Sequence, residues 1–378
     1  MNTPFITIIN PIRNVERTIE KNLEYLIDLD YPKEKMEIIL ADGGSADRSV
    51  EIINSWQKRY DFIKLVVIPN CKSPGQARNA ALKIAEGEYI LFTDGDCAPK
   101  KDWVHKSLAP FFKDETIGMV GGEILTMRTD PNNYVESYCE QIKFLMVAGR
   151  CLMREAGYYP SITKDLPHEV NGNIHSPFFA TANAAVSTKA ADAVGREFWD
   201  EITSEDVDFS LRILKAGFKL YYQPSSIVDH MHRVTLEAYC KQLHGYGFGH
   251  PLAVQKHAKQ VLEIQLQYTP HYLTLAIPFP KKGIIYIGDF HFMHLFGALF
   301  AGNMIHNTIA GTCGTSCVVW GALFLAFVFK YFNPMLKLKP LSKILTWCRI
   351  RYVSNWALML GGFKGGKAFN VIYLESSW

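Results

Sequence analysis

The chain has 378 residues, more than one typical domain, and 48% hydrophobic against 20% charged residues makes it globular with an apolar enrichment. Its net charge is only +3, and no nucleic-acid partner is expected. The eight cysteines form no CxxC pair and no zinc-like spacing with histidine, which argues against a disulfide framework or a structural zinc site.

The chain opens directly on the strand-like FITIIN, with no basic segment followed by an apolar one, so no cleaved signal peptide is expected. RTIEKNLEYLIDL, EIILAD, DRSVEIINSWQKRY, IKLVVIP, PGQARNAALKIAEG and EYILFTD then alternate helix and strand. That alternation predicts right-handed βαβ units, hence an α/β fold on a mainly parallel sheet. There is no GxxxxGK[ST] loop and no GxGxxG opening a helix, so a kinase or a dehydrogenase has little support.

Three acidic stations stand along the first 210 residues. The runs IIL at 38–40 and YILF at 89–92 each end in a carboxylate followed by glycine, giving Asp42 in ADGGSADRS and Asp94 and Asp96 in TDGDCAP. Strands end there, and side chains leaving the carboxyl ends of a parallel sheet are placed to converge on a ligand. Asp42 reads equally as part of an Asp-Gly turn. Asp94 and Asp96, one residue apart after a buried strand, repel unless a cation or basic partner lies between them, and a divalent ion does this well. The third station, Glu205 and Asp206, begins a helix whose Val207, Leu211 and Leu214 keep helical spacing up to a capping Gly217. These two acids also suit the positive end of a helix dipole.

The C-terminal quarter differs in kind. No acidic residue lies between Asp289 and Glu375, and Phe290 to Phe329 carry no formal charge. Each membrane crossing needs about 20 residues, so two helices are expected, near 284–302 and 312–332, as a transmembrane hairpin. The cations that follow, Lys330 to Lys367, favour a cytoplasmic side, and the aromatic and basic stretch 341–363 suits a helix in the bilayer interface. The expected layout is a catalytic domain over 1–235, an amphipathic helical linker over 236–283, the hairpin over 284–332 and a basic interfacial tail over 333–378. The catalytic domain is expected on the cytoplasmic side.

PIRNVERTIEKNLEYLIDLDYPKEKMEIILADGGSADRSVEII, then GQARNAALKIAEGEYILFTDGD, then GREFWDEITSEDVDFSLRILKAGFKLYYQP, in this order, resemble the family 2 inverting glycosyltransferases of GT-A fold. The similarity is closest to the membrane-attached members that build bacterial or archaeal surface polysaccharides, and it covers about the first 250 residues. The resemblance implies that Pro11, Arg13, Asn14 and Glu16 form the first nucleotide-binding loop and that Asp42 holds the base. It places Arg78 beside the nucleotide, and Asp94 and Asp96 as the DxD pair binding Mg²⁺ or Mn²⁺ and the diphosphate. Asp206, second member of the pair it makes with Glu205, matches the catalytic base. His230 stands near where related enzymes carry a histidine at the metal, although an ordinary histidine fits as well.

These residue types suit the chemistry. Breaking the bond between an anomeric carbon and a diphosphate builds negative charge that a cation must meet, and the attacking hydroxyl must lose its proton to a carboxylate. Nothing nominates a nucleophile for a covalent, retaining route. Departures from the family also occur: where relatives carry a QxxRYGRGR-like stretch, this chain has Gln242 and Tyr246 but Gly245, Phe248 and His250 at arginine positions. That puts phosphate contacts there in doubt, with Lys241, His244 and His250 as partial substitutes. The expected activity is transfer of a single sugar from a nucleotide sugar, most simply a UDP-sugar, to a lipid-linked saccharide or polyprenyl phosphate at the bilayer. Sugar nucleotidyl transfer and a non-catalytic nucleotide-binding membrane scaffold are the alternatives.

Overall fold

A computed structural model describes residues 3–151, 153–159, 177–201, 203–268, 271–312 and 314–376. The chain divides into two compact units, one of residues 1–131 and 142–232, the other of 132–141 and 233–378.

The first unit begins β1 (Ile6–Ile12), α1 (Ile19–Ile27), β2 (Met36–Asp42), α2 (Ser49–Gln57), β3 (Ile63–Val67), α3 (Pro74–Leu82) and β4 (Tyr89–Phe92), the predicted alternation. It continues with β5 (Cys97–Pro99), α4 (Trp103–Leu108) and β6 (Ile117–Met127). After α5 (Tyr134–Gln141), which belongs to the second unit, come α6 (Val147–Cys151), β7 (Gly157–Tyr159), β8 (Ala184–Ser187), α7 (Thr188–Ala193), α8 (Glu205–Lys215) and β9 (Lys219–Met231). The strands form one sheet in the order β3-β2-β1-β4-β8-β6-β9-β5, with β7 beside β9. β3, β2, β1 and β4 run parallel, while β8 opposes both its neighbours. β2 is buried at every residue, as a parallel strand covered on both faces must be.

From β1 the chain winds outward through β2 and β3, then returns to place β4 on the other flank of β1. The order reverses between β1 and β4, which puts the ligand crevice at their carboxyl ends. Pro11 fits this topology. β4 pairs with β1 only as far as Ile9, so the missing N–H of Pro11 costs no ladder bond on that side.

The second unit holds α9 (Leu236–His257), β10 (Val261–Tyr268), β11 (His271–Pro278), β12 (Gly283–Ile287), α10 (Asp289–Ala310), α11 (Thr315–Leu336), α12 (Ile344–Ala368) and β13 (Ile372–Leu374). Residues 236–283 are therefore not a helical linker throughout. VLEIQLQY and HYLTLAIP alternate apolar residues with period two and pair as an antiparallel hairpin in a sheet ordered β11-β10-β12-β13. The two helices expected as spans lie a few residues later than predicted, at Asp289–Ala310 and Thr315–Leu336, the first because 283–287 is the strand β12. Of the described helices, α11 alone is long and apolar enough to cross a membrane; α10, with its histidines and glycines, is not. α10 and α11 nonetheless pack together, Phe324 lying against Gly297 and Phe300 against Gly321.

α12 packs on α9 along a seam of glycines. A Cβ at Gly361 would come within 2.2 Å of the His244 carbonyl, and one at Gly247 within 2.0 Å of the Leu358 carbonyl. The stretch expected to lie wholly in an interface thus buries one stripe, Trp347, Ile350, Ser354 and Leu358, inside this unit. Of the altered arginine positions, Phe248 meets the Phe369 ring at 5.2 Å and His250 Nδ1 lies 2.7 Å from the buried Glu375 carboxylate, so His250 is not a free phosphate ligand. Gly245 has open space around it.

Candidate active site

The loop after β1 is stitched to the turn after β2. Asn14, in the left-handed region at φ 53°, donates its backbone N–H to Ser45 Oγ at 2.8 Å and accepts from the Ala46 N–H at 2.9 Å. Glu16 donates its N–H to Asp47 at 3.0 Å and accepts from the Arg48 N–H at 3.2 Å, while Arg13 reaches the Cys71 carbonyl at 3.2 Å. Asp42 is fully buried and serves this turn: Oδ2 accepts from the N–H groups of Gly44 and Ser45, both at 3.0 Å, and Oδ1 from the Ser45 hydroxyl. Gly44 sits at φ +79°, a conformation glycine adopts without strain. The turn reading accounts for both Asp42 oxygens.

After β4, residues 94–97 form a β-turn closed by the Cys97 N–H to the Asp94 carbonyl at 3.0 Å. β5 then pairs antiparallel with β9, Cys97 opposite His230, and the Met231 N–H donates to the Asp96 carbonyl at 3.0 Å. This pairing brings Asp96 Oδ1 to 3.5 Å from His230 Nε2. His230 Nδ1 lies 2.5 Å from the Met231 carbonyl. A carbonyl only accepts, so Nδ1 carries a proton and Nε2 is the ring nitrogen that faces Asp96.

That donor set fits a divalent cation: a carboxylate oxygen and an imidazole nitrogen face each other, and the Cys97 sulfur completes a group within 4.8 Å. Burial, then the charges of Asp96 and Asp94, push the Cys97 thiol well up, so it is a thiol there. Asp94 is turned elsewhere. Its Oδ1 accepts from Arg78 Nη2 at 3.0 Å, so of the three expected metal ligands the structure gathers Asp96 and His230 and gives Asp94 to the arginine.

Arg78 projects from α3, a helix started by Ser73, whose side chain accepts from the Gln76 N–H, with Pro74 in the first turn. It is buried against the Phe198 ring, and its Nη1 donates to Glu205 Oε1 at 2.8 Å. Burial opposes its charge, but Asp94, Glu205 and Asp206 outweigh burial and raise its pKa. α8 places both acids in its first turn and ends in a Schellman motif, with the N–H of Gly217 bonded to Leu214 and that of Phe218 to Ile213. The expected cap at Gly217 is thus found. Glu205 is clamped by Arg78. Asp206 is half-buried, with Oδ1 accepting from the Val207 N–H at 2.8 Å.

Two residues escape a reading from motifs. Asn22 and Asn10, both buried, hold the 94–97 turn from α1 and β1. A polar residue on the apolar face made by Ile19, Leu23 and Leu26 was the available signal. Asn183 in FFATANAAV reads from sequence as a pocket residue, but it is a core hub, bonded to Trp103 Nε1 and to the carbonyls of Glu123 and Ser226. The sequence assigns the acceptor side to residues 121–180, and of these 160–176 lie outside the described residues.

A mainly parallel sheet with its crevice at a switch point, an acidic turn after the fourth strand and a helix-borne carboxylate pair beyond it form a GT-A transferase architecture. The family model described as glycosyl transferase family 2 matches residues 7–194. A Methanococcus voltae protein described as dolichyl N-acetyl-alpha-D-glucosaminyl phosphate 3-beta-D-2,3-diacetamido-2,3-dideoxy-beta-D-glucuronosyltransferase is 26% identical over 257 residues, 67% of this chain and 74% of its own length. A probable glycosyltransferase of Bacillus subtilis, YdaM, is 23% identical over 343 residues, 86% of this chain and 72% of its own length. Among solved structures, a mannosyltransferase from Pyrobaculum calidifontis, in complex with GDP-Man and Mn²⁺, is similar at TM-score 0.55 and 18% identity, covering 97% of this chain and 88% of its own. The chain belongs to glycosyltransferase family 2, whose members are inverting enzymes. The nucleotidyltransferase and scaffold alternatives give way to that membership.

Proposed function

We propose that this enzyme transfers one sugar, with inversion, from a UDP-sugar to a lipid-linked saccharide or polyprenyl phosphate. The observation that carries the reading is the linkage of the stations: Arg78 ties Asp94 to Glu205, so the turn that meets a diphosphate and the helix that carries Asp206 are held by one buried cation. The clamped loop Pro11 to Glu16 and the Asp42 turn would take the nucleoside.

Asp96 and His230 would hold a Mg²⁺ or Mn²⁺ ion, which when bound supplies positive charge to the leaving diphosphate. With a saccharide acceptor, Asp206, the half-buried carboxylate of its pair, takes the proton of the acceptor hydroxyl as that oxygen bonds the anomeric carbon and the carbon–diphosphate bond breaks. Glu205 keeps Arg78 in place. Inversion follows from one displacement on the face opposite the diphosphate.

Membrane attachment is supported by α11, whose Val318, Leu325 and Phe329 are exposed, and by the outer stripe of α12, where Leu345, Leu360 and Phe363 lie among Arg349, Lys364 and Lys367. The name of the Methanococcus relative, which specifies a dolichyl-linked acceptor, supports a lipid-linked one here. With the hairpin in the bilayer, the cationic tail supports a cytoplasmic location by the positive-inside rule.

The test is to incubate detergent-solubilised protein with Mn²⁺, a panel of UDP-, GDP- and dTDP-sugars and a membrane lipid extract, and to measure released nucleoside diphosphate. Release from a UDP-sugar that needs both metal and lipid, and is lost in Asp206→Asn, supports the proposal. Release from a GDP- or dTDP-sugar alone, or full activity of that variant, overturns the donor or the base.

A further inference from the structure

The acidic turn is not self-supporting, and what supports it is an amide with every group in use. Asn22, 2% exposed on α1, donates through Nδ2 to the Cys97 carbonyl at 2.7 Å and to the Asp94 carbonyl at 3.2 Å. These are the two ends of the β-turn, and the Asp94 carbonyl also receives the Cys97 N–H. Asn22 Oδ1 in turn accepts from Asn10 Nδ2 at 2.7 Å, which fixes the flip of the Asn22 amide so that its NH₂ faces the turn. Asn10 is fully buried in β1, and its own Oδ1 has no hydrogen-bond partner. Burying an unsatisfied acceptor is unfavourable, so Asn10 is a costly residue at this place if packing is its only task.

We infer that Asn22, oriented by Asn10, is a positioning residue that sets the 94–97 turn so that Asp96 stands beside His230 ready for a cation and a diphosphate. This rests on the proposed reading of that turn. The mechanism is mechanical: the clip fixes both turn ends, the Met231 N–H fixes the Asp96 carbonyl between them, and the Asp96 side chain leaves a backbone held on both sides. Loosening one end spreads Asp96 over orientations of which only some face His230, and affinity for the bound state falls by the fraction lost.

Calorimetric titration of the full chain in detergent reads this through uridine and through UDP without and with Mn²⁺, with GDP titrated in the same two ways on wild type. Asn22→Asp keeps the size and removes the donor pair. It is expected to weaken UDP binding with Mn²⁺ about tenfold, while uridine binding stays within a factor of two. Asn10→Val, which removes one orphaned acceptor but leaves Asn22 Oδ1 as another, is expected to fold about as well as wild type and to show the same selective loss at smaller size. Asp96→Asn serves as the control that abolishes the Mn²⁺ effect. If either folded Asn variant keeps the wild-type gain from Mn²⁺, or loses uridine and UDP–Mn²⁺ binding equally, the positioning role is overturned and the pair is only structural. If wild type shows no gain from Mn²⁺ with UDP or with GDP, the reading of the turn itself fails, a result distinct from either.

Discussion

Arg78 Nη1 lies 2.8 Å from Glu205 Oε1, across 127 residues of sequence, and the same guanidinium holds Asp94 from its other nitrogen at 3.0 Å. A buried arginine whose charge is compensated by two carboxylates is strongly coupled to them: removing it leaves acids in a dry site without their cation. Arg78→Met is therefore expected to cost about 3 kcal/mol of stability and to abolish transfer. Arg78→Lys keeps a point charge but cannot span both partners with a planar fork, so it should melt closer to wild type while losing at least about tenfold in kcat/KM. Thermal melts beside donor turnover check both. A lysine variant with full activity would show that charge alone suffices.

The clamp also separates two neighbouring acids that look alike in sequence. Glu205 has a buried partner, whereas Asp206, the next residue, is half-buried near the helix start. Asp206→Asn should lower kcat by about 10² to 10⁴, the range for a lost general base, with UDP–Mn²⁺ affinity unchanged. Glu205→Gln should instead lower the melting temperature and weaken donor binding through Arg78. Single-turnover rates and nucleotide titrations on both variants distinguish these roles, and equal kcat losses with equal stability would erase the distinction.

How much of this was legible beforehand follows the range of the interactions. The strands of the first unit announce themselves through local apolar runs, and Asp42, Asp94 and Asp206 through the turns and the helix start around them. The partition of labour did not. That Asp94 faces Arg78 rather than His230 depends on the β5–β9 pairing, which joins residues more than a hundred apart. Asn22 was hidden because one polar residue on an apolar helix face carries no motif. In the second unit the hairpin of β10 and β11 was missed although its alternation is plain, since the surrounding helical and apolar stretches dominated the reading. The arginine losses at 245, 248 and 250 were visible, yet the partners that two of the replacements meet, Phe369 for Phe248 and Glu375 for His250, needed coordinates.

Glu263 on β10 supplies a pH dependence. Burial, opposed by the hydrogen bond from Gln265, raises its pKa above the ordinary 4.5. The folded state then holds this proton more tightly than the unfolded chain does. Its contribution to stability is fully present below the ordinary glutamate value and is lost as pH rises through the raised folded value. Glu263→Gln should remove that slope, so the variant melts higher than wild type at pH 8, by about 2 °C, and the gap closes toward pH 4. Melting curves across that range decide it. A gap that widens on acidification would mean the carboxylate is stabilised as an anion.

The glycines of α9 are not equivalent, and the difference tests how the second unit is held. At Gly247 an added Cβ would lie 2.0 Å from the Leu358 carbonyl, and at Gly361 and Gly365 2.2 and 2.3 Å from the carbonyls of His244 and Phe248. These obstacles are backbone and cannot swing away. Gly247→Ala or Gly361→Ala must push α9 and α12 apart, with an expected loss of about 2 kcal/mol or more, on the scale of an overpacked core. Gly245, one half-turn away on the same helix, has nothing within 4 Å of such a Cβ. Gly245→Ala should stabilise by roughly 0.5–1 kcal/mol, since alanine loses less backbone freedom in a helix. Gly245→Arg, which places an arginine where related enzymes carry one, should fold as well as wild type. Melting temperatures of the four variants in one detergent give the ranking, and equal destabilisation at 245 and 247 would show that the close seam between the two helices does not form.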